Sequence, residues 1–336
     1  MPSMRELTGC IAGRTETALA AVIVLLAVFF SLVSPHFLTL PNAVDLIETQ
    51  SVTLILAAGV FVVLVSGGID ISFAATAAAT QYLAAYLSTR HGLGPLPCIA
   101  VACGSGVLLG GINAFLTHFL QVVSIIVTIA TASIYYALLI HVTDGAEIYD
   151  LPDWWTERIV FLRFTLGSGE AVRITLPIAA MLVVVIATHL LMTRTGVGRQ
   201  IHALGGNPEA ASRVGIRILR VQIAVYGYLG FLAGVAGLLQ AHRMGQAVPT
   251  AWAGSELNVL AVAILGGASL VGGVGSMGGV VLAVLLLATL QNGLNLLGVS
   301  SYFFQVVTGA AILSAISFTA RAERRMRRGA RARADR

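Results

Sequence analysis

From residue 18 to residue 319 the chain alternates long apolar runs with short polar or glycine-rich breaks. A helix needs ~20 apolar residues to cross the hydrocarbon of a bilayer. The pattern predicts ten such spans, at about 18–33, 51–65, 73–87, 96–116, 122–141, 174–192, 221–241, 256–270, 277–297 and 302–319. Between the first two, residues 34–50 hold Pro35, Pro41, Asp45 and Glu48 and read as a turn with a short amphipathic helix. The predicted fold is an all-α integral membrane protein, one transmembrane unit over residues 1–336. Little chain is left over for a soluble catalytic domain.

Two apolar runs break before they should. After Val65 the chain reads Ser66-Gly67-Gly68-Ile69-Asp70-Ile71-Ser72, and after Leu265 it reads Gly266-Gly267-Ala268-Ser269-Leu270, followed by Gly272 and Gly273. Paired glycines unlock a helix, and irregular backbone at membrane depth is tolerated only where protein or a water-filled cavity satisfies it. Asp70 is costly there and marks a functional position, or else caps the third span. Two interrupted segments in matching places of two halves point to a transport path at their interface. Candidate path residues are the uncharged polar Ser72, Asn113, Thr128, Asn292, Asn295 and Gln305, together with Asp70. For the amides and hydroxyls among them, helix packing and bonding back to their own helix are the plainer alternatives.

Composition agrees with the pattern: 57% of residues are hydrophobic and 10% charged, with mean hydropathy +0.90. All 20 basic residues are arginine. With no lysine, a phosphate-loop lysine, a Schiff base and a Ser-Lys dyad are excluded. The arginines gather near the amino terminus, in residues 193–220 and in the tail 321–336, a topological bias toward the cytoplasm and not a nucleic-acid face. Even span counts between these clusters put both termini in the cytoplasm. Residues 142–173 carry six acids against three arginines and should lie outside, with Trp154-Trp155 as an interfacial anchor, part of a small amphipathic helix on the membrane surface, or a partner contact. Three cysteines give no disulfide framework, and neither a metal site nor a cofactor site is indicated.

The loop 193–220 is the most polar inner stretch, with five arginines and one acid. Asn207 is a strong N-cap, Pro208 suits the first helical position and Glu209 is favoured by the helix dipole. Gly215 ends the segment. A short cytoplasmic helix with an alanine face is suited to a groove on another protein.

The resemblance becomes specific at this loop. Glu209-Ala210-Ala211 followed by Gly215 is similar to the cytoplasmic loop of ATP-binding-cassette (ABC) importer permeases. With Gly205, Gly206 and Asn207 before it, the segment resembles the ribose-type monosaccharide branch, which is related to autoinducer-2 permeases. Gly67 to Ser72, Ile125 to Thr131, Glu256 to Gly275 and Asn292 to Ser300 look like further motifs of that branch, in the right order from about residue 37 to 316. Phe73-Ala74-Ala75 departs from it by lacking a glycine.

The resemblance implies the permease subunit of an inner-membrane importer, dimeric with an identical or similar permease, working by alternating access. A periplasmic or lipid-anchored binding protein would deliver a monosaccharide or related solute. A separate subunit carrying ATP and magnesium would dock on the segment from Gly205 to Gly215. Autoinducer-2 and branched-chain amino acids are alternative cargoes within related branches. A proton-coupled transporter using Asp70 and Glu256 is the rival from another class, and the missing HExxH pair argues against an intramembrane hydrolase.

Overall fold

The computed structural model describes residues 4–165, 171–300, 303–304, 306–310 and 313. The tail 321–336, Gln305 and most of the predicted tenth span lie outside the described residues.

Long helices follow the apolar runs. They are α1 (Met4–Val33), α2 (Leu40–Val65), α3 (Phe73–His91), α4 (Pro95–Leu120), α5 (Ser124–Thr143), α7 (Leu176–Arg194), α10 (Ile218–Met244) and α12 (Met277–Leu296). The shorter helices are α6 (Asp153–Thr156), α8 (Gly196–Gly206), α9 (Pro208–Arg213) and α11 (Glu256–Leu265). Among the described residues seven helices are long and apolar enough to cross a membrane: α1 from Thr15, α2, α4, α5, α7, α10 and α12. The count of about ten is therefore not reached. Helix α3 spans 19 residues but is rich in Ala and Thr, and α11 is only 10 residues long. The expected turn and separate amphipathic helix before the second span are instead a short turn and the first turns of α2 itself, started by Thr39 and Pro41.

Helices α2, α10 and α12 form the centre, where α2 is buried almost continuously from Leu54 to Val65 and α10 buries Val225, Tyr226, Leu229, Leu232, Ala233 and Ala236. On the periphery α1 and α5 expose Leu25, Leu32, Ile126 and Leu138, as hydrocarbon-facing helices do. The closest crossing is between α4 and α10. A Cβ on Gly106 would fall on the carbonyl of Gly230, one on Gly110 on the carbonyl of Tyr226, and one on Gly234 on the carbonyl of Ala102. Glycines four residues apart on α4, and three and four apart on α10, let the backbones touch, the packing that membrane helices use in place of a hydrophobic driving force.

The segment between α5 and α7 is not a bare loop. Strands β1 (Val160–Thr165) and β2 (Ala171–Thr175) make one antiparallel hairpin within a fold that is otherwise helical, as expected of an all-α membrane protein. Trp155 is also not a membrane anchor. It is 4% exposed, packs with Ala84, Cys98, Ala102 and Ala241, and donates from Nε1 to the carbonyl of Leu238 at 3.1 Å. Trp154 stacks on it at 5.3 Å between ring centroids. Trp155→Phe replaces the indole with a smaller ring and loses the bond, so we expect a stability loss of about 1–3 kcal/mol, read as a lower unfolding midpoint in detergent. An unchanged midpoint would show that the indole N–H contributes nothing.

Candidate functional site

Both helix breaks end in the same backbone device. At the first, Ser66, Gly67 and Gly68 donate to the carbonyls of Val62, Leu64 and Val63. At the second, Gly266, Gly267 and Ala268 donate to Val262, Ile264 and Ala263. Gly67 and Gly267 are left-handed, with φ of 85° and 90°. This is the glycine-dependent Schellman ending of a helix, made twice. The structural repeat therefore matches Ser66-Gly67-Gly68 with Gly266-Gly267-Ala268, one residue out of step with the match that the glycine pairs suggest.

The two breaks meet at a third glycine pair. Helix α8 ends in Gly205-Gly206, and a Cβ on Gly205 would fall on the carbonyl of Val65 and 2.5 Å from the backbone nitrogen of Gly273. Gly273 donates to the carbonyl of Val65 at 2.8 Å, directly joining the segment after the second break to the first. His202 on α8 donates from Nδ1 to the carbonyl of Gly273 at 3.0 Å. A Cβ on Gly272, at φ 92°, would lie 2.6 Å from the Cα of Gly67. Only glycine allows three backbones this close.

On the other side of the first break, four predicted path residues come together. Asp70 Oδ1 accepts from the backbone nitrogen and the hydroxyl of Ser72, both at 2.7 Å. Asn113 Nδ2 on α4 donates to Ser72 Oγ at 2.6 Å and to Asp70 Oδ2 at 3.4 Å. From α5, Thr128 donates to the carbonyl of Ile69, and Ser124 Oγ accepts from the Ile69 nitrogen at 2.8 Å. Asp70 is thus an Asx-type acceptor two residues ahead of its donor partner Ser72, which is itself the α3 N-cap. Asp70, Ser72, Asn113 and Thr128 are all buried, at 2%, 1%, 0% and 0% exposure. None lines either cleft described here.

One cleft, of about 430 Å³, lies between the first break and the α8–α9 segment, with Gly67, Ser124, Gly205, Pro208 and Tyr226 in its wall. The other, also about 430 Å³, is at the opposite end of α2, where Asn292 and Asn295 of α12 face Asn42 and Asp45. Asn295 does not join the inner group, and Gln305 lies outside the described residues. Glu256 begins α11, ten residues before the second break, and is not among the hydrogen-bond partners of Asp70, which are Ser72 and Asn113.

Helix α9 projects at the end where the glycines meet. Asn207 Oδ1 accepts from the Ala210 nitrogen at 2.9 Å. Gly215 closes the segment at φ 86°. Glu209 and Ala210 are exposed while Ala211 is buried against the rest of the chain. Sequence reasoning missed α8 altogether, as well as His202, Ser124 and Tyr226. It also missed Glu16 of α1, which accepts from Ser276 Oγ, the α12 N-cap, at 2.5 Å.

Residues 42–316 match the family described as branched-chain amino acid transport system / permease component. The chain is 32% identical over 308 residues to the ribose import permease protein of Escherichia coli strain K12, covering 90% of this chain and 92% of the relative. It is 33% identical over 298 residues to the D-allose transport system permease protein of the same strain, covering 88% of each. The chain belongs to the ribose-type ABC permeases. A further member, the L-arabinose ABC transporter permease protein of Azospirillum brasilense, is 31% identical over 309 residues, 90% of this chain and 87% of the relative. No solved structure gives a significant match. As a ribose-type permease the chain is a multi-pass membrane transport subunit and not itself an enzyme.

Proposed function

We propose that this ribose-type permease imports a neutral monosaccharide across the inner membrane as one half of a permease dimer. A sugar-binding protein docks at the end that carries the β1–β2 hairpin. ATP-binding subunits, which hold ATP and magnesium, dock at the α8–α9 end, and the arginine-rich tail lies on that cytoplasmic side. Helices α3 and α11 and the residues after 300 complete about ten membrane segments, with both termini cytoplasmic. The segment from Gly205 to Gly215 is the coupling element, and the glycine breaks border the path. Asp70, Ser72, Asn113 and Thr128 flank it on the inner side, and Asn292 and Asn295 on the outer side.

The observation that carries this reading is the position of Gly205, pressed between Val65 and Gly273. A displacement of α8 and α9 by a docked subunit reaches both helix breaks at once through backbone contacts. Alternating access needs such a connection between the ATP-driven motion and the path.

Glu209→Arg tests it. Glu209 is exposed at the first turn of α9, so its contribution to the fold is only about 0.3–1 kcal/mol through the helix dipole. Charge reversal should therefore leave the permease in the membrane while cutting ATP-driven uptake by at least about tenfold, which is ~1.4 kcal/mol of lost coupling. Wild-type uptake with normal co-purification of the ATP-binding subunit would overturn the assignment.

A further inference from the structure

The cleft at the far end of α2 is built from groups that the coupling device does not use. The first turns of α2 supply Asn42, Asp45 and Gln50, and the last turns of α12 supply Gln291, Asn292 and Asn295. Asn42 and Asn292, 250 residues apart, exchange two amide hydrogen bonds at 2.9 and 2.8 Å. Gln50 donates to Gln291 Oε1 at 3.2 Å. The Asp45 carboxyl is exposed within the same cleft, and Phe304 provides an apolar wall.

Three properties select the ligand. The volume of about 430 Å³ lies at the small end of the range for small-molecule sites, ~300–1,000 Å³. Among the described residues the lining has one carboxyl and no arginine or histidine, so an anionic ligand would meet repulsion without a counter-charge. Side-chain amides present a donor and an acceptor on one planar group, which matches a pair of neighbouring hydroxyls that each donate and accept. Arg243 reaches the rim only through the Thr49 carbonyl, at 3.2 Å. The nearby ion pair of Arg158 with Glu48, at 2.7 Å, ties the connection between α5 and α7 to the α2 turn beside the cleft.

We propose that this cleft is a neutral-monosaccharide site at the outer mouth of the path. Asp45 accepts from sugar hydroxyls, and the Asn42–Asn292 pair parts so that both amides turn to the ligand. The tie through Arg158 and Glu48 places the site where a binding protein held by the hairpin segment releases its cargo. This assignment rests on the reading of the chain as a monosaccharide permease.

The test uses the whole transporter, with ATP-binding subunit and sugar-binding protein, in proteoliposomes offered D-ribose, D-allose and L-arabinose. Asp45→Asn is the first variant, because an exposed, isosteric change does not threaten the core. Asn292→Leu is the second. We expect the wild type to import at least one of the three, and Asp45→Asn to lower that uptake by about tenfold, as loss of a charged hydrogen-bond partner does. Saturation-transfer NMR on the permease in nanodiscs should show the same sugar bound, weaker binding in both variants, and no binding of ribose 5-phosphate. Wild-type uptake with both variants unchanged in rate and sugar preference overturns the site and leaves the permease reading standing. Equal binding of ribose 5-phosphate overturns its neutral-ligand character. An assembled, ATP-hydrolysing wild type that imports none of the sugars overturns the underlying reading and this site with it.

Discussion

Valine at position 205 is expected to stop transport in a permease that still assembles. Its Cβ would land on the carbonyl of Val65, 2.5 Å from the nitrogen of Gly273 and 2.9 Å from the carbonyl carbon of Ser66. All three are backbone atoms, so no rotamer change can relieve the clash, and α8 must move away from both breaks. The bond from Gly273 to Val65 then loses the surface that holds its two ends together. Overpacking of this kind costs about 1–3 kcal/mol, a modest part of the stability of a chain whose core lies along α2 and α10. The loss should therefore show in coupling: ATP-driven uptake down by at least about tenfold, with near-normal yield of the complex. Gly111→Ala on α4 is the control, since a Cβ there meets nothing within 4 Å and the residue belongs to neither the junction nor the coupling segment; it should transport normally. Wild-type uptake by the Gly205→Val variant would show that the three-backbone junction is not part of the working cycle.

Neither the junction nor its partners could be read from one dimension. The apolar runs and the two glycine breaks were legible, because a helix that crosses a membrane declares itself by length and a paired glycine declares its end. Which glycine turns left-handed was not legible. That depends on where the last helical turn closes, and adjacent glycines are equally able to take it. The cap, first-turn proline and terminal glycine of α9 follow local rules and were readable. Helix α8 was not, because Gly196, Gly198, Gly205 and Gly206 look like breakers. In the fold two of them serve contact instead: a Cβ on Gly198 would strike the carbonyls of Leu191 and Met192, as one on Gly205 would strike Val65.

The reading of Trp155 as an interfacial anchor has a related cause. A tryptophan pair beside apolar runs fits the membrane interface on composition alone, whereas its real partners, Leu238 and Ala241, belong to the end of α10. Asn292 was visible as a polar residue near a span end and Asn42 lay unremarked in the stretch 34–50, but their pairing spans 250 positions and no periodicity encodes it. Asn113 illustrates the opposite case. A buried amide on a glycine-rich helix was recognisable as a site for helix-to-helix bonding, and the structure supplies the partners, Ser72 and Asp70.

Those partners lead to the second large expected effect. Asp70→Ala removes the acceptor for three donors at once: the nitrogen and hydroxyl of Ser72 and, at 3.4 Å, the amide of Asn113. Every group involved is 2% exposed or less, so water cannot take the place of the carboxyl, and each buried donor without a partner costs about 1–3 kcal/mol. Asn113 keeps its 2.6 Å bond to Ser72 Oγ, which limits the total to about 3 kcal/mol. Asp70→Asn should be milder, because its amide oxygen still accepts from Ser72 while its nitrogen meets that of Asn113 as donor against donor. The expected order of unfolding midpoints in detergent is therefore wild type, then Asn, then Ala. The first break is pinned to α4 and α5 only through this group and its neighbours Ser124 and Thr128 on the far side from Gly205. Loosening it should also reduce uptake in proportion to the lost order of the break, even in the fraction that remains folded. An alanine variant that unfolds within about 0.5 kcal/mol of wild type and transports normally would show that Asp70 neither holds the break nor serves the path.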